Sequence, residues 1–126
     1  MRPHMPAKKK ILVVDDEPLV CEAIAMILSF DGYEVVTAGN GREALILFAQ
    51  EKFDLVTTDY TMPEMNGAEL VRALKAKVPD LPVIMITAHT DMLKTSAVSL
   101  TGVDQMVSKP FQFADLRAAI QKATAG

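Results

Sequence analysis

Four short stretches of this sequence that could form strands are each followed directly by polar side chains that could take part in phosphate chemistry. In chain order, these side chains belong to Asp15 and Asp16, Asp59, Thr87 and Lys109. Carboxylates held within a few ångströms of one another repel, and a divalent cation removes that repulsion. Because the carboxylates offer only oxygen ligands, Mg²⁺ is the expected ion.

Phosphoryl transfer to a carboxylate is the reaction that this combination favours. With Mg²⁺ bound, one carboxylate can act as a nucleophile toward phosphorus and form an acyl phosphate. The reaction then needs positioning and neutralisation of charge on the equatorial phosphoryl oxygens. Lys109 can supply a cation and Thr87 a hydroxyl donor. Each residue alone also fits an ordinary turn, cap or strand position, so only their combined placement indicates function.

The elements that position these residues follow from hydrophobic periodicity. Short apolar runs predict strands over 11–14, within 33–38, and over 54–58, 83–86 and 104–108. Helical spacing predicts helices over 18–30, 42–50, 68–77, 91–100 and 113–123. Pro18 suits the first turn of the first helix, and Asn40 is a suitable N-cap for the second. This alternation predicts an α/β domain whose parallel sheet is covered by helices on both faces.

The predicted sheet also explains where the polar residues fall. Right-handed crossovers leave few topologies for such a sheet. Ligands bind outside the carboxyl ends of its strands, near the point where the strand order reverses. The domain is expected over residues 10–124, and residues 1–9 are expected to be a disordered lead-in or a cloning remnant.

Composition excludes several function classes. The chain has 126 residues, 50% of them hydrophobic, and a formal net charge of −3. A mildly acidic globular chain is not expected to bind nucleic acid by itself. The sequence has neither an apolar run long enough to span a bilayer nor a hydrophobic signal segment. Its one cysteine, Cys21, is expected to be a small core side chain, which fits a reducing, cytoplasmic location.

Together, these residues resemble the receiver domains of two-component response regulators. The segments that carry the resemblance are Val13–Pro18, Asp59–Gly67, Thr87–Ala88 and Lys109–Phe111, and they extend over about residues 10–123. The resemblance implies a flavodoxin-like (βα)5 three-layer sandwich, with a five-stranded parallel sheet of order 2-1-3-4-5.

The resemblance also implies a role for each acidic residue. Asp59 resembles the phosphoacceptor. Asp16 and Asp59 resemble direct Mg²⁺ ligands, with the backbone carbonyl of Thr61 as a third ligand and Asp15 acting mainly through water. Pro63 and Gly67 are expected to be structural, because they shape the turn that leaves Asp59 open.

A conformational switch is a further implication. Thr87 would turn inward to hydrogen-bond the phosphoryl group, and Lys109 would contact one of its oxygens. The bond from Lys109 to Pro110 is usually cis in this family. Three positions before the lysine, receivers usually carry tyrosine or phenylalanine, whereas this sequence has Met106. Phosphorylation is expected to survive this departure, but Met106 puts the usual aromatic coupling in doubt, and simple packing under the fourth predicted helix is the alternative.

Two more positions border the phosphoryl group in this family. Thr61 and His89 lie two residues after Asp59 and Thr87, respectively. We expect them to tune the lifetime of an aspartyl phosphate, by affecting how fast attacking water reaches it.

The resemblance implies partners as well. The phosphoryl donor would be a sensor histidine kinase or a histidine phosphotransfer protein that binds near the first helix. Output would pass through the fourth predicted helix, the fifth strand and the fifth helix, a surface through which family members often contact partners or form homodimers. Such a domain is not an enzyme in the usual sense, since it promotes only its own phosphotransfer and dephosphorylation.

Three other functions share part of this pattern. A phosphohydrolase of the haloacid-dehalogenase type also forms an aspartyl phosphate, but it requires a second acid where Thr61 stands. A nucleotide-binding or cofactor-binding module requires a glycine-rich phosphate loop that this sequence lacks. A receiver-like interaction module that takes no phosphate stays open, and Met106 is the residue that motivates it.

Overall fold

The chain alternates strands and helices, as the periodicity predicts. The computed structural model describes residues 8–90, 93 and 100–124. The strands are β1 (Lys10–Val14), β2 (Glu34–Ala38), β3 (Leu55–Thr58), β4 (Val83–Thr87) and β5 (Gln105–Ser108). The helices are α1 (Pro18–Phe30), α2 (Gly41–Gln50), α3 (Gly67–Lys77) and the C-terminal helix (Phe113–Thr124). The helix predicted over 91–100 lies outside the described residues except at its positions 93 and 100.

All five strands are parallel and form one sheet. Their order is β2-β1-β3-β4-β5, which confirms the predicted order and places β3 in the middle. Strand order reverses at β1, because the chain moves outward to β2 and then crosses back to β3. The carboxyl ends of β1, β3 and β4 therefore lie side by side, at the edge where the sequence predicts a site.

The core lies on both faces of the sheet and makes the fold three-layered. Ile11 and Val13 of β1 belong to a buried cluster with α1 and the C-terminal helix. Leu12 and Val14 belong to a second buried cluster with α2 and α3. Since successive side chains of a strand point to opposite faces, a strand that contributes to both layers must be apolar at every position. That requirement explains the continuous apolar runs in the sequence.

Helix ends follow the local sequence signals. Pro18 occupies the first turn of α1, and Gly32 follows the end of that helix with a φ of 97°, in the left-handed region that suits glycine. The side chain of Asn40 caps α2, as predicted. Asn66 and Glu69 form a capping box at the start of α3. Within the described residues, no helix is long and apolar enough to cross a bilayer.

Candidate functional site

Backbone hydrogen bonds beyond the strand ends bring the predicted residues to one edge of the sheet. The N–H of Asp59 donates to the carbonyl oxygen of Val14 over 3.1 Å. The N–H of Lys109 donates to the carbonyl oxygen of Thr87 over 3.0 Å. The ladder between strands thus continues by one residue, which fixes where each side chain leaves the sheet.

Four carboxylates converge at this edge. Asp15, Asp16, Glu17 and Asp59 each offer an oxygen, and these oxygens all lie within 4.8 Å of one another. Asp15 and Asp59 are 2% and 6% exposed, whereas Asp16 and Glu17 face solvent. These four carboxylates suit a hard divalent cation, because all of their ligand atoms are oxygens. Two of the carboxylates are buried and two face water, so a bound ion could keep part of its hydration shell. Glu17 was not predicted to take part, although its position directly after Asp16 was a usable signal.

Lys109 reaches into this group from the end of β5. Its Nζ atom donates to Oδ2 of Asp15 over 2.8 Å and to Oδ2 of Asp59 over 3.1 Å. The same nitrogen lies 3.9 Å from Oε1 of Glu17. One ammonium facing four carboxylates leaves an excess of negative charge, which attracts a further cation.

Burial decides the electrostatics of the pair that Lys109 makes with Asp15. Burial raises the pKa of Asp15, and the hydrogen bond from Lys109 only partly opposes it. Although burial opposes the charged form of Lys109 too, its hydrogen bonds with Asp15 and Asp59 raise its pKa. Lys109 is therefore held as an ammonium, and the ionised form of Asp15 is destabilised until another positive charge arrives.

The Asp59 carboxylate is oriented by its neighbours. Its Oδ1 atom accepts a hydrogen bond of 2.7 Å from the N–H of Tyr60, while Oδ2 accepts from Lys109. A Cβ atom at Gly67 would lie 2.3 Å from the carbonyl oxygen of Asp59 and 2.9 Å from Cα of Tyr60. Only glycine allows the loop to return this close to the backbone of Asp59.

Thr87 is the last residue of β4, and His89 lies two residues beyond it. Thr87 is fully buried, and its hydroxyl accepts a hydrogen bond of 3.3 Å from the N–H of His89. The residues His89 and Thr61 are both exposed at the surface. Thr87 is thus anchored within the protein, whereas Thr61 and His89 are accessible to water.

Three other residues with predicted roles surround this edge. Met106 is half-buried on β5 and lies beside Met85 in the sheet register. Pro110 follows Lys109 through a cis peptide bond. Pro63 is exposed, and its carbonyl oxygen accepts a hydrogen bond of 2.7 Å from Met65.

A pair of hydroxyls next to the site was not predicted. Oγ1 of Thr90 and Oγ of Ser108 lie 2.7 Å apart, close enough for either one to donate to the other. Serine and threonine are common at strand ends, so the sequence carries no signal that these two residues meet.

Cys21 is the small core residue that the sequence predicts. It is 7% exposed, and its Sγ atom lies 3.2 Å from the carbonyl oxygen of Asp15. Burial, with the nearby charge of Asp15, raises the pKa of Cys21 to about 11. The thiol therefore stays protonated near neutral pH and is no candidate nucleophile.

Comparisons with known proteins agree on one family. The family model described as the response regulator receiver domain matches residues 11–121. The chain is 39% identical over 112 residues to the response regulator MprA of Mycolicibacterium vanbaalenii, covering 89% of this chain and 48% of that protein. It is 35% identical over 117 residues to the probable transcriptional regulatory protein TcrX of Mycobacterium tuberculosis, covering 89% and 50%. The chain thus spans about half the length of these curated relatives.

Solved structures show the same likeness over whole chains. The response regulator protein TrrA of Thermotoga maritima, solved in complex with Mg²⁺-BeF, matches with a TM-score of 0.83 and 38% identity, covering 91% of this chain and 98% of that one. The chemotaxis response regulator CheY4 of Vibrio cholerae matches with a TM-score of 0.84 and 32% identity, covering 93% and 99%.

Proposed function

This chain belongs to the response-regulator receiver family of two-component signalling, and from that premise we propose that it is a phosphorylation switch whose acceptor is Asp59. The observation that carries the proposal is the placement of the Asp59 carboxylate. It lies among three other carboxylates within 4.8 Å, with the ammonium of Lys109 at 3.1 Å. A nucleophile, a cation and a cluster of oxygens that could hold a metal ion thus lie within one group of side chains.

The proposal assigns the metal site to the acidic residues. Asp16 and Asp59 would bind Mg²⁺ directly, together with the backbone carbonyl of Thr61, and Asp15 would act mainly through water. The ion would supply positive charge that offsets the repulsion between the carboxylates and an incoming phosphoryl group. The raised pKa of Asp15 supports this assignment, because it marks a carboxylate whose charge is poorly compensated by Lys109 alone.

The reaction itself uses the contacts of Asp59 and Lys109. One carboxylate oxygen of Asp59 forms a bond to phosphorus as the bond from phosphorus to a histidine nitrogen of the donor breaks. The N–H of Tyr60 holds Oδ1 and so limits rotation of the carboxylate. Lys109 pairs with a phosphoryl oxygen, and Thr87 donates its hydroxyl to another. Water later hydrolyses the acyl phosphate, at a rate that we expect Thr61 and His89 to set.

The phosphoryl donor contacts the first helix in this proposal. Receiver domains of response regulators interact with histidine kinases; for this chain, the donor is a sensor histidine kinase or a histidine phosphotransfer protein. Leu19, Met26 and Phe30 of α1 are 79%, 73% and 85% exposed, and their spacing of seven and four residues places them on one helix face. A groove that includes Leu19, Lys109 and Phe111 continues this face toward the acceptor.

The proposal also covers the bounds of the domain, its output surface, its lack of contact with nucleic acid and its location. The switch domain comprises residues 10–124 and promotes only its own phosphotransfer and dephosphorylation. Output, and any homodimer, involves β5 and the C-terminal helix, where Met106 borders a surface cavity. The chain itself does not contact nucleic acid, in keeping with its net charge of −3. Its buried thiol, Cys21, suits a reducing cytoplasm.

Incubation with acetyl phosphate and MgCl₂, followed by intact mass, tests the proposal. The expected product carries one phosphoryl group, and the Asp59→Asn variant carries none. Asp54→Asn is a matched control, because Asp54 accepts a hydrogen bond from the backbone of Lys10 at the opposite end of the sheet. An unmodified wild-type chain would contradict the proposal and favour the interaction module, whereas turnover of a small phosphate ester would favour the phosphohydrolase.

A further inference from the structure

A hydrogen bond between two hydroxyls joins the segment after β4 to the end of β5. Oγ1 of Thr90 and Oγ of Ser108 are 2.7 Å apart. Thr90 is 8% exposed, so water has little access to its side of the pair. Ser108 is the last residue of β5 and directly precedes Lys109. The bond therefore reaches from the loop that follows Thr87 to the strand that positions Lys109.

Neighbouring contacts join β4 to β5 and join the same loop to β4. Thr87 and Ser108 are partners in the register of the parallel strands, and the N–H of Lys109 donates to the carbonyl oxygen of Thr87 over 3.0 Å. The N–H of His89 donates to the hydroxyl of Thr87 over 3.3 Å. Residues 88–90 are consequently held at one end by Thr87 and at the other by Ser108.

We propose that the Thr90–Ser108 hydrogen bond is a latch that opposes the movement of Thr87 toward a phosphoryl group on Asp59. The proposal rests on the function proposed above, in which the Thr87 hydroxyl donates to that group. When this hydroxyl turns toward Asp59, the N–H of His89 loses its acceptor and has to shift to find another. Thr90 is the next residue, and its bond to Ser108 resists that shift.

The position of Ser108 on its strand strengthens this assignment. Met106 lies two residues earlier on β5, so the two side chains leave the same face of the strand. The thioether of Met106 is a weak hydrogen-bond acceptor and carries no donor. Ser108 supplies the only hydroxyl within β5, and this hydroxyl is the group that lies within hydrogen-bond distance of Thr90.

Removing the latch is expected to tighten binding of a phosphoryl analogue. In the presence of Mg²⁺, beryllofluoride should bind Ser108→Ala and Thr90→Val more tightly than wild type, by about two- to tenfold, the range that one hydrogen bond supplies. The double variant should gain no more than either single variant, because both changes remove the same bond. Ser108→Thr keeps the hydroxyl and should restore the wild-type affinity. Ser29→Ala removes an exposed hydroxyl from α1 and serves as the control.

Titration with beryllofluoride, followed through amide NMR signals around Asp59 and Thr87, measures these affinities. A variant that folds poorly would bind more weakly, so tighter binding cannot arise from misfolding. Unchanged or weaker binding by both single variants, with wild type and Ser29→Ala binding normally, would overturn the latch and leave the proposed function intact. Failure of the wild-type chain to bind beryllofluoride, together with no phosphoryl adduct from acetyl phosphate, would overturn the proposed function and the latch with it.

Discussion

Each end of the parallel sheet holds a lysine between two carboxylates, but the two arrangements differ in burial. At the amino ends of the strands, Lys10 pairs with Glu34 and Glu51, whose side chains are 57% and 35% exposed. At the carboxyl ends, Lys109 pairs with Asp15 and Asp59, whose side chains are 1% and 7% exposed. Residue type alone therefore does not separate the two clusters.

The difference in burial changes what the charges can do. The hydrogen bond with Glu51 raises the pKa of Lys10, and solvent screens the remaining charge. Burial raises the pKa of Asp15, so its ionised form is destabilised although Lys109 is in contact. An exposed ion pair adds little to stability, whereas a partly buried cluster with excess negative charge favours a cation or a reaction that compensates it.

The largest expected contrast between the two ends is in reactivity. Lys109→Met removes the cation beside Asp59 and should slow phosphorylation by acetyl phosphate about 100-fold or more, since one charge-stabilising donor supplies that much. Lys10→Met should leave the rate unchanged, because Lys10 lies at the opposite end of the sheet. The initial rate of adduct formation, measured by intact mass, checks this contrast. Equal rates in the two variants would show that Lys109 is not part of the reacting group.

Stabilisation by Mg²⁺ is the next largest effect. At a Mg²⁺ concentration about 100 times its Kd, the free energy of unfolding should rise by about 2.7 kcal/mol. Asp16→Asn should remove most of this gain, whereas Glu34→Gln at the amino end should keep it. Urea unfolding with and without MgCl₂ measures the gain. An undiminished gain in Asp16→Asn would place the ion elsewhere.

A smaller effect is expected from neutralising Asp15 in the metal-free protein. Asp15→Asn should raise the free energy of unfolding near neutral pH by on the order of 1 kcal/mol, because it removes a buried charge that Lys109 compensates only in part. Glu17 donates its N–H to Oδ1 of Asp15, a contact that asparagine can keep.

The pH dependence of this gain follows from the raised pKa of Asp15. Below the ordinary value of 3.8, the carboxyl is protonated in folded and unfolded chains alike, so wild type pays no ionisation penalty there. The penalty grows as pH rises through the folded pKa and is complete above it. Denaturant unfolding of both proteins from acid to neutral pH tests the sign. A variant less stable than wild type at neutral pH would mean that the ion pair outweighs burial.

The smallest effect on stability is expected from a substitution at the amino ends of the strands. Glu51→Gln removes the half-buried partner of Lys10, and the exposed Glu34 remains to pair with it. The midpoint of thermal unfolding should shift less than in Asp15→Asn, and high salt should remove the shift. Thermal scans at low and high NaCl measure both quantities. A large, salt-independent loss of stability would break the contrast between the two ends.

Much of the fold could be predicted because burial leaves a direct pattern in the sequence. The run Ile11–Val14 is apolar at every position since both faces of β1 are covered, and α1 begins and ends at the predicted residues, Pro18 and Phe30. The third and fifth strands begin one residue later than predicted. In each case the residue before the strand, Asp54 or Asp104, accepts a backbone N–H with its carboxylate, a tertiary contact that local patterns do not encode.

The candidate site, too, could be predicted from the sequence only in part. The strand-end rule predicts that Asp15, Asp59 and Lys109 meet at one edge, because parallel strands share their carboxyl ends. It does not predict that one Nζ atom contacts both carboxylates, since that depends on side-chain reach between residues 94 and 50 positions apart. The contact between Thr90 and Ser108 is equally hidden, because it depends on the path of a loop.

The central place of β3 has a consequence for which parts of the switch move. Every residue of β3 is buried, and three of its four residues (Val56, Thr57 and Thr58) pair with strands on both sides, whereas β5 lies at the end of the sheet and has one buried residue. Amide hydrogens of β3 should therefore exchange with solvent mainly through global unfolding, and those of β5 through smaller and more frequent openings. We therefore expect Asp59 to keep its position when its charge changes, and the resulting displacement to fall on the more weakly held β5 side of the site, which carries Lys109.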